Sequence, residues 1–261
     1  MDNLDKTQGF IGVMDSGVGG ISVLKSMVVS LPHEDFVYYG DSANAPYGEK
    51  SADEVRRLTF KIAHMLIEEG AKALAVACNT ATSAGISTLR ETYPDIPIIG
   101  VEPAIKPAAL STGQKSQVLV MATPITLRQK KYLRLADSLS DKADFISVPC
   151  PGLAGRIEQG NLESKDLTEM LQDLIGKYRG KADCVVLGCT HYPFIKKQIR
   201  QVIGDLPLFD GNEGTAKELS RRLREAGLLN SKAEEGRIIF RSSRDTETEI
   251  GLYKKFFNLA I

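Results

Sequence analysis

Two cysteines, Cys78 and Cys189, each follow an apolar run of the chain and stand 111 positions apart. The runs, residues 75–77 and 186–188, are typical of buried parallel strands, which are apolar without interruption. In α/β sheets, functional groups lie just beyond the carboxyl ends of the strands. Thiols at two equivalent strand ends could therefore take a proton from one face of a carbon atom and return a proton to the other face.

Three further pairs of segments repeat at nearly the same spacing, which indicates an internal duplication. Residues 10–14, 36–39 and 95–98 match residues 117–121, 145–148 and 205–208, in chain order and at offsets of 107, 109 and 110. A single match would mean little, because apolar strands are common in α/β proteins. Four matches in register predict two pseudo-symmetric parallel-sheet α/β domains that arose by duplication, with the active site in the cleft between them.

The boundary between the two domains is expected near Pro103 and Pro107, which interrupt the pattern of strands and helices. We predict a first domain of residues 1–103, joined by the non-repeating residues 214–261, and a second domain of residues 104–213. Helices are predicted after the glycine-rich turn at 17–20, after a capping box at 51–54, and over 83–93, 126–136, 164–178, 194–202, 213–226 and 247–259, with a strand at 237–240.

Composition excludes several classes of partner. The chain has 261 residues with 33 basic and 33 acidic side chains, so its net charge is zero. We expect no nucleic-acid or membrane surface, because there is no basic run and no apolar stretch of about 18 residues. The acidic, polar start differs from a secretory signal. The sequence therefore predicts a cytoplasmic enzyme with a small-molecule substrate and reduced cysteines.

The remaining glycines and cysteines have plain structural interpretations. Gly17, Gly19 and Gly20 could bind a phosphate or a carboxylate at a helix N-terminus, but they lack the spacing of a dinucleotide or Walker motif. They could equally do no more than allow a tight turn. Cys150 and Cys184 are predicted to pack as small apolar side chains.

A metal site at Cys184, Cys189 and His191 is possible, but the spacing matches no common zinc motif, and we predict none. His191 is better placed to adjust the acidity of Cys189. Asp15, at the end of the first strand, is expected beside Cys78. A strand end near helix N-terminal amides should favour the thiolate form of each cysteine.

Five blocks of the sequence resemble, in chain order, the signature blocks of the bacterial glutamate racemases in the aspartate/glutamate racemase superfamily. They are GVMDSGVGG (12–20), APYG (45–48), ACNT (77–80), GVEPA (100–104) and LGCTHYP (187–193), and they span nearly the whole chain. The resemblance departs from the family at Asn44 and at residues 149–152, which leaves the local loop geometry open.

The resemblance implies a racemase that interconverts L- and D-glutamate without a cofactor and supplies D-glutamate for peptidoglycan. A homodimer is expected. Cys78 would act on D-glutamate and Cys189 on L-glutamate, with Asp15 assisting the first, and His191 and Glu158 the second. The implied substrate contacts are Asp15, Ser16, Pro46, Tyr47, Gly48, Asn79, Thr80, Thr123, Thr190 and His191.

Three other functions remain open on the residues alone. An aspartate or hydantoin racemase would keep both cysteines and differ in the side-chain pocket. A two-lobed binding protein could clamp a small acid, but it would not need paired thiols. A thiol hydrolase would need only one nucleophilic cysteine with its histidine.

Overall fold

The computed structural model describes residues 6–111 and 114–261. Its strands are β1 (Phe10–Asp15), β2 (Phe36–Gly40), β3 (Ala71–Val76), β4 (Ile98–Gly100), β5 (Ser116–Ala122), β6 (Ala143–Pro149), β7 (Cys184–Gly188), β8 (Leu208–Phe209) and β9 (Ile238–Ser242). Its helices are α1 (Ile21–Ser30), α2 (Ala52–Glu68), α3 (Asn79–Thr92), α4 (Ile105–Ala109), α5 (Pro124–Arg128), α6 (Lys130–Ser138), α7 (Leu153–Glu158), α8 (Lys165–Ile175), α9 (Lys196–Ile203), α10 (Asn212–Glu225) and α11 (Glu247–Asn258).

The strands of the described residues form two parallel sheets with the same internal order. The first sheet runs β4-β3-β1-β2-β9, and the second, started from β8, runs β8-β7-β5-β6. Strands β1 to β4 therefore occupy the positions of β5 to β8, in the pairing that the sequence offsets predict. The predicted α/β class with two pseudo-symmetric parallel sheets is confirmed.

Two helix starts lie directly at the predicted site. Cys78 is the N-cap residue of α3, and its sulfur accepts a hydrogen bond from the Ala81 amide at 3.4 Å. Thr123 caps α5 in the second domain, where its hydroxyl accepts from the Thr126 amide at 3.4 Å. Capping satisfies amides that the first helical turn leaves free. The same side chains thus begin a helix and reach the sheet edge.

Several predicted helix boundaries were wrong. The helix predicted over 83–93 begins at Asn79, because Cys78 already caps it. The helix predicted over 126–136 is two helices, α5 and α6, separated at Gln129 by extended backbone. Residues 176–178 and 192–195 form 3-10 turns beside α8 and α9. Helix α7 was not predicted at all.

The residues from 212 onward return to the first sheet. Strand β9 pairs in parallel with β2, with Tyr38 beside Phe240. Helix α11 reaches the second half of the chain, where Phe256 packs edge to face on Phe194 with the ring centroids 4.8 Å apart. The domain limits 1–103 with 214–261, and 104–213, stay a prediction. Within residues 6–111 and 114–261, no helix is both long and apolar enough to cross a bilayer.

Candidate active site

The two cysteines lie in one buried cleft between the sheets. Cys78 follows β3 and Cys189 follows β7, and they are only 5% and 7% exposed. Negative charge on Cys189 is among the causes that raise the pKa of Cys78, so the two sulfurs are in electrostatic contact. The carboxyl ends of two equivalent strands therefore do bring the thiols together, as the duplication suggests.

The Cys78 thiol is held in its neutral form. Burial raises its pKa well above the usual value, and the charge of Asp15 raises it further. The hydrogen bonds from the Ala81 amide and with the Ser16 hydroxyl, 3.9 Å from the sulfur, act in the opposite direction but are weaker. The expectation that helix amides favour a thiolate is wrong at Cys78, because desolvation outweighs one amide.

Asp15 joins the two halves of the site. It is fully buried, and burial raises its pKa to about 6, although the positive charge of His191 partly offsets this effect. Its carboxylate accepts from the Gly17 amide at 2.9 Å and from the Thr190 hydroxyl, across the cleft, at 3.1 Å. The Ser16 hydroxyl lies 3.4 Å from the same carboxylate and so links Asp15 to Cys78.

Cys189 has a different neighbour, a paired histidine. His191 Nδ1 is 3.5 Å from the Cys189 sulfur, and Nε2 is 2.5 Å from Glu158 Oε1. Burial alone would lower the pKa of His191, but the charges and hydrogen bonds of Cys189 and Glu158 raise it well above the usual value. His191 is therefore an imidazolium that donates to both neighbours. The backbone amide of Val18 also donates to Glu158, at 3.0 Å.

A pair of threonines closes the other side of the cleft. The hydroxyls of Thr80 and Thr123 are 3.1 Å apart, and Thr123 is also 3.0 Å from the hydroxyl of Thr126. Gly48 lies against Thr123, since a Cβ added to this glycine would approach Cγ2 to 2.8 Å. The Asn79 side-chain oxygen is buried and has no hydrogen-bond partner among the described residues. It is thus an acceptor available to a ligand.

The loop after β2 shows how the remaining predicted residues are placed. The Tyr47 hydroxyl donates to the Asp41 carboxylate at 2.6 Å. The side-chain amide of Asn44 donates to both oxygens of the same carboxylate, at 2.9 and 3.1 Å. Asn44, the departure from the family pattern, therefore stabilises the loop. The Tyr47 hydroxyl is engaged within the loop. Pro46 lies near Gly155 of the second half of the chain. A Cβ added to Gly155 would lie 3.8 Å from Cγ of Pro46.

Contacts join most of the predicted site residues in three groups, but sequence reasoning missed some parts of the site. The groups are Cys78 with Ser16, Asp15 and Thr190; Cys189 with His191 and Glu158; and Thr80 with Thr123 and Gly48. Asp41 could have been found, because it follows β2 as Asp15 ends β1. Ser22 donates to the Thr190 carbonyl oxygen at 2.8 Å, and nothing local in the sequence marks it. Cys150 is buried, burial raises its pKa to about 12, and it feels the charge of Cys189. Cys150 is thus buried, as predicted for a packing residue, but it lies directly beside the site.

The cleft leaves little space where the two halves meet. Pro46, Gly48, Thr123 and Cys150 border a cavity of only about 10 Å³, the room of a single water molecule. Both thiols are nearly buried, at 5% and 7% exposure. A ligand the size of an amino acid would therefore reach them only if the two halves separated.

Metal ligation has no counterpart in the geometry. Among residues 6–111 and 114–261, no group of three or more His, Cys, Asp or Glu side chains is arranged to hold a metal ion. Cys184 lies inside β7, with its sulfur 4.0 Å from the Ala108 carbonyl oxygen. It is therefore not part of a ligand set with Cys189 and His191.

Comparison with known proteins gives consistent matches. The model of the Asp/Glu/hydantoin racemase family matches residues 11–219. The glutamate racemase of Clostridium acetobutylicum is 46% identical over 250 residues, which cover 95% of this chain and 97% of the relative. A crystal structure of glutamate racemase from Thermus thermophilus in complex with β-chloro-D-alanine is 35% identical with a TM-score of 0.79, covering 95% and 93%. That of the Francisella tularensis enzyme with D-glutamate is 28% identical with a TM-score of 0.83, covering 98% and 96%.

The position of Glu158 depends on the absence of a side chain at Gly17. A Cβ added there would lie 1.9 Å from Glu158 Oε1, so Gly17→Ala should push the carboxylate away from His191. We expect the pKa of His191 to fall, measured by NMR titration of the imidazole. In Gly251→Ala the added Cβ meets open space, so this control should leave the titration unchanged. An unaltered His191 pKa in Gly17→Ala would contradict the prediction.

Proposed function

This chain belongs to the glutamate racemases of the Asp/Glu/hydantoin racemase family, and we propose that it interconverts L- and D-glutamate by proton transfer between two thiols, without a cofactor. The observation that carries the proposal is the pair of buried cysteines at equivalent strand ends. Their surroundings differ: Cys78 is a neutral thiol, whereas Cys189 lies beside an imidazolium. One base and one acid are thus ready on opposite sides of the cleft.

The assignment of Cys189 to L-glutamate and of Cys78 to D-glutamate rests on the family resemblance. In the direction from L- to D-glutamate, Cys189, beside the His191 cation, acts as the base and takes the α-proton of L-glutamate. The Cys78 thiol gives its proton to the opposite face of the same carbon. The products are D-glutamate, a thiol at Cys189 and a thiolate at Cys78, so the enzyme is left ready for the reverse reaction.

The protonation states must be restored for repeated turnover in one direction. The Cys78 thiolate can recover a proton through Ser16 from Asp15, whose pKa of about 6 allows it to carry one. The His191 imidazolium already carries both ring protons, so the proton on Cys189 must leave to water when the cleft opens. His191, held by Glu158, favours the loss of that proton through its positive charge. We infer that Asp15 is an auxiliary proton donor and that His191 and Glu158 are auxiliary electrostatic groups of the site.

Negative charge that develops on the substrate needs hydrogen-bond donors. The hydroxyl groups of Thr80 and Thr123 can donate to the α-carboxylate, and those of Ser16 and Thr190 can do so when they turn away from Asp15, to which they donate in this structure. The Asn79 oxygen can accept from the α-ammonium group. Fixed donors in a site without bulk water stabilise a carbanion far better than donors in solution do. Tyr47, Gly48 and Pro46 would complete the substrate-binding surface.

The wider role follows from the reaction. We propose that the D-glutamate formed by this isomerase is used to build peptidoglycan and that the enzyme works in the cytoplasm as a homodimer. The zero net charge, which offers no broad attraction for nucleic acid or membranes, supports a small-molecule substrate alone.

Exchange at Cα tests the proposed reaction directly. Protein dialysed against a metal chelator should exchange the α-proton of L- or D-glutamate in deuterated water, followed by proton NMR, while circular dichroism shows the other enantiomer forming. Activity that disappears on dialysis and returns with a metal ion or pyridoxal phosphate would contradict the two-thiol mechanism.

Removing one thiol at a time should separate the two faces of the substrate. Cys78→Ala and Cys189→Ala should each abolish racemisation, because each lacks the group for one face. With an analogue that carries a leaving group next to Cα, elimination should persist for the D-enantiomer in Cys189→Ala and for the L-enantiomer in Cys78→Ala. Cys184→Ala, at the start of the strand that Cys189 follows and away from the cleft, is the matched control and should stay active. A single-thiol variant that accepts both enantiomers equally would refute the assignment.

The alkaline limit of activity should depend on Glu158. Since the Glu158 charge helps to raise the pKa of His191, Glu158→Gln should lower that pKa. The loss of kcat/KM at high pH, where His191 loses its proton, should then begin at a lower pH. Glu163→Gln removes a carboxylate that pairs with Lys197 at the surface, and this control should keep the wild-type profile. A profile that is identical in Glu158→Gln would argue against the imidazolium.

A further inference from the structure

One phenol of the C-terminal helix α11 reaches the loop that follows β2. We call this loop, residues 41–48, the substrate loop. Tyr253 is fully buried, and its hydroxyl oxygen lies 2.6 Å from Ser42 Oγ and donates to Ser242 Oγ at 3.2 Å. A phenol has a single proton, so Ser42 is the donor to Tyr253. The three hydroxyls form one directed chain, Ser42 to Tyr253 to Ser242.

The hydroxyl group fits its position closely. Burial raises the pKa of Tyr253, so the phenol stays neutral and can accept and donate at the same time. A Cβ added to Gly40, the last residue of β2, would lie 2.0 Å from the Tyr253 oxygen. The glycine therefore gives the phenol access to the substrate loop.

The beginning of the substrate loop has few other supports. The Asp41 amide donates to the Asp15 carbonyl oxygen at 2.9 Å, and the Ala43 amide donates to Ser243 Oγ at 2.9 Å. Ser42 lies between these two anchors, and its side chain bonds to Tyr253. The loop is thus held on one side by the catalytic strand β1 and on the other by the segment of β9 and α11.

Helix α11 is itself fixed, so Tyr253 is a rigid point of attachment. The Tyr253 ring packs edge to face on Tyr38, with the centroids 5.5 Å apart at 90°. Two and three residues further along, Lys255 donates to the Gly160 carbonyl oxygen at 3.1 Å and Phe256 packs on Phe194. These contacts hold the helix to both halves of the chain.

We propose that Tyr253 is a positioning residue for substrate binding: its hydroxyl fixes Ser42 and thereby places Tyr47 and Gly48 at the cleft. Gly48 lies against Thr123, so a displaced loop would alter the surface that closes over the substrate. Tyr253 touches no reacting atom, and the proposal rests on glutamate racemisation as the proposed function.

Steady-state kinetics of Tyr253→Phe test the role, because phenylalanine keeps the ring and removes only the hydroxyl. The variant loses the bonds to both Ser42 and Ser242, of which only the bond to Ser42 reaches the substrate loop. For the loss of that one neutral hydrogen bond we expect KM to rise about fivefold for both enantiomers, with kcat nearly unchanged. The equilibrium constant of a racemisation is one, so kcat/KM must fall equally in both directions. The separate values of KM and kcat therefore carry the result, and a purely structural defect would lower the active fraction and hence kcat.

Two further variants complete the experiment. Ser42→Ala should raise KM as Tyr253→Phe does, and the double variant should add nothing, since both lose the same bond. The matched control is Tyr132→Phe, which removes a 2.6 Å bond to Ser147 away from the cleft and should leave KM unchanged.

The possible outcomes separate this proposal from the proposed function. A fall in kcat without a rise in KM, additive effects of the two variants, or the same rise in Tyr132→Phe would overturn the positioning role. Wild-type protein that does not racemise glutamate would overturn the proposed function itself. An active wild type with an unchanged KM in Tyr253→Phe would overturn only the role of Tyr253.

Discussion

The burial of several ionisable groups in one closed cleft is the constraint on which the rest of the site depends. Asp15 and His191 are almost without exposure. The charge of Asp15 adds to the rise in the pKa of Cys78 that burial causes, and His191 lies beside Cys189. Desolvation keeps Cys78 a thiol, and a charged partner on each side keeps His191 an imidazolium. An open, hydrated cleft would weaken both effects. Closure is therefore part of the acid–base chemistry as well as a means of excluding water.

Duplication supplied the two faces, and divergence made them different. Strands β1 and β5 occupy equivalent positions, but β1 ends at Asp15 and is followed by Ser16, whereas β5 is followed by the uncharged Thr123. In the second half, the charged groups come from His191, after β7, and from Glu158, at the end of α7. Each thiol thus has its own ionisable neighbours on a common scaffold. In the proposed reaction, these neighbours would let the two thiols act on opposite faces of the same carbon.

Features that depend on local or repeating sequence patterns could be predicted from the sequence, whereas contacts between distant residues could not. The strands, their order and both thiols could be derived from apolar runs and constant offsets, because these patterns are local or repeat. Asp15 followed from the same rule about strand ends. Glu158 came only from the family resemblance, since the contact with His191 joins a helix that no local pattern marked. The acidity of Cys78 could not be predicted, because it depends on how completely the folded cleft removes water.

Polar and apolar contacts between the two halves of the chain have different consequences for motion. Across the cleft the contacts include hydrogen bonds, such as those of Thr80 with Thr123 and of Ser22 with the Thr190 carbonyl oxygen. Water or substrate can replace such bonds at small net cost. Behind the cleft, Phe256 of α11 packs on Phe194, an apolar contact that water cannot replace. The proposed function requires a substrate to reach the thiols, and this difference favours an opening in which the halves separate at the thiols while α11 keeps them joined.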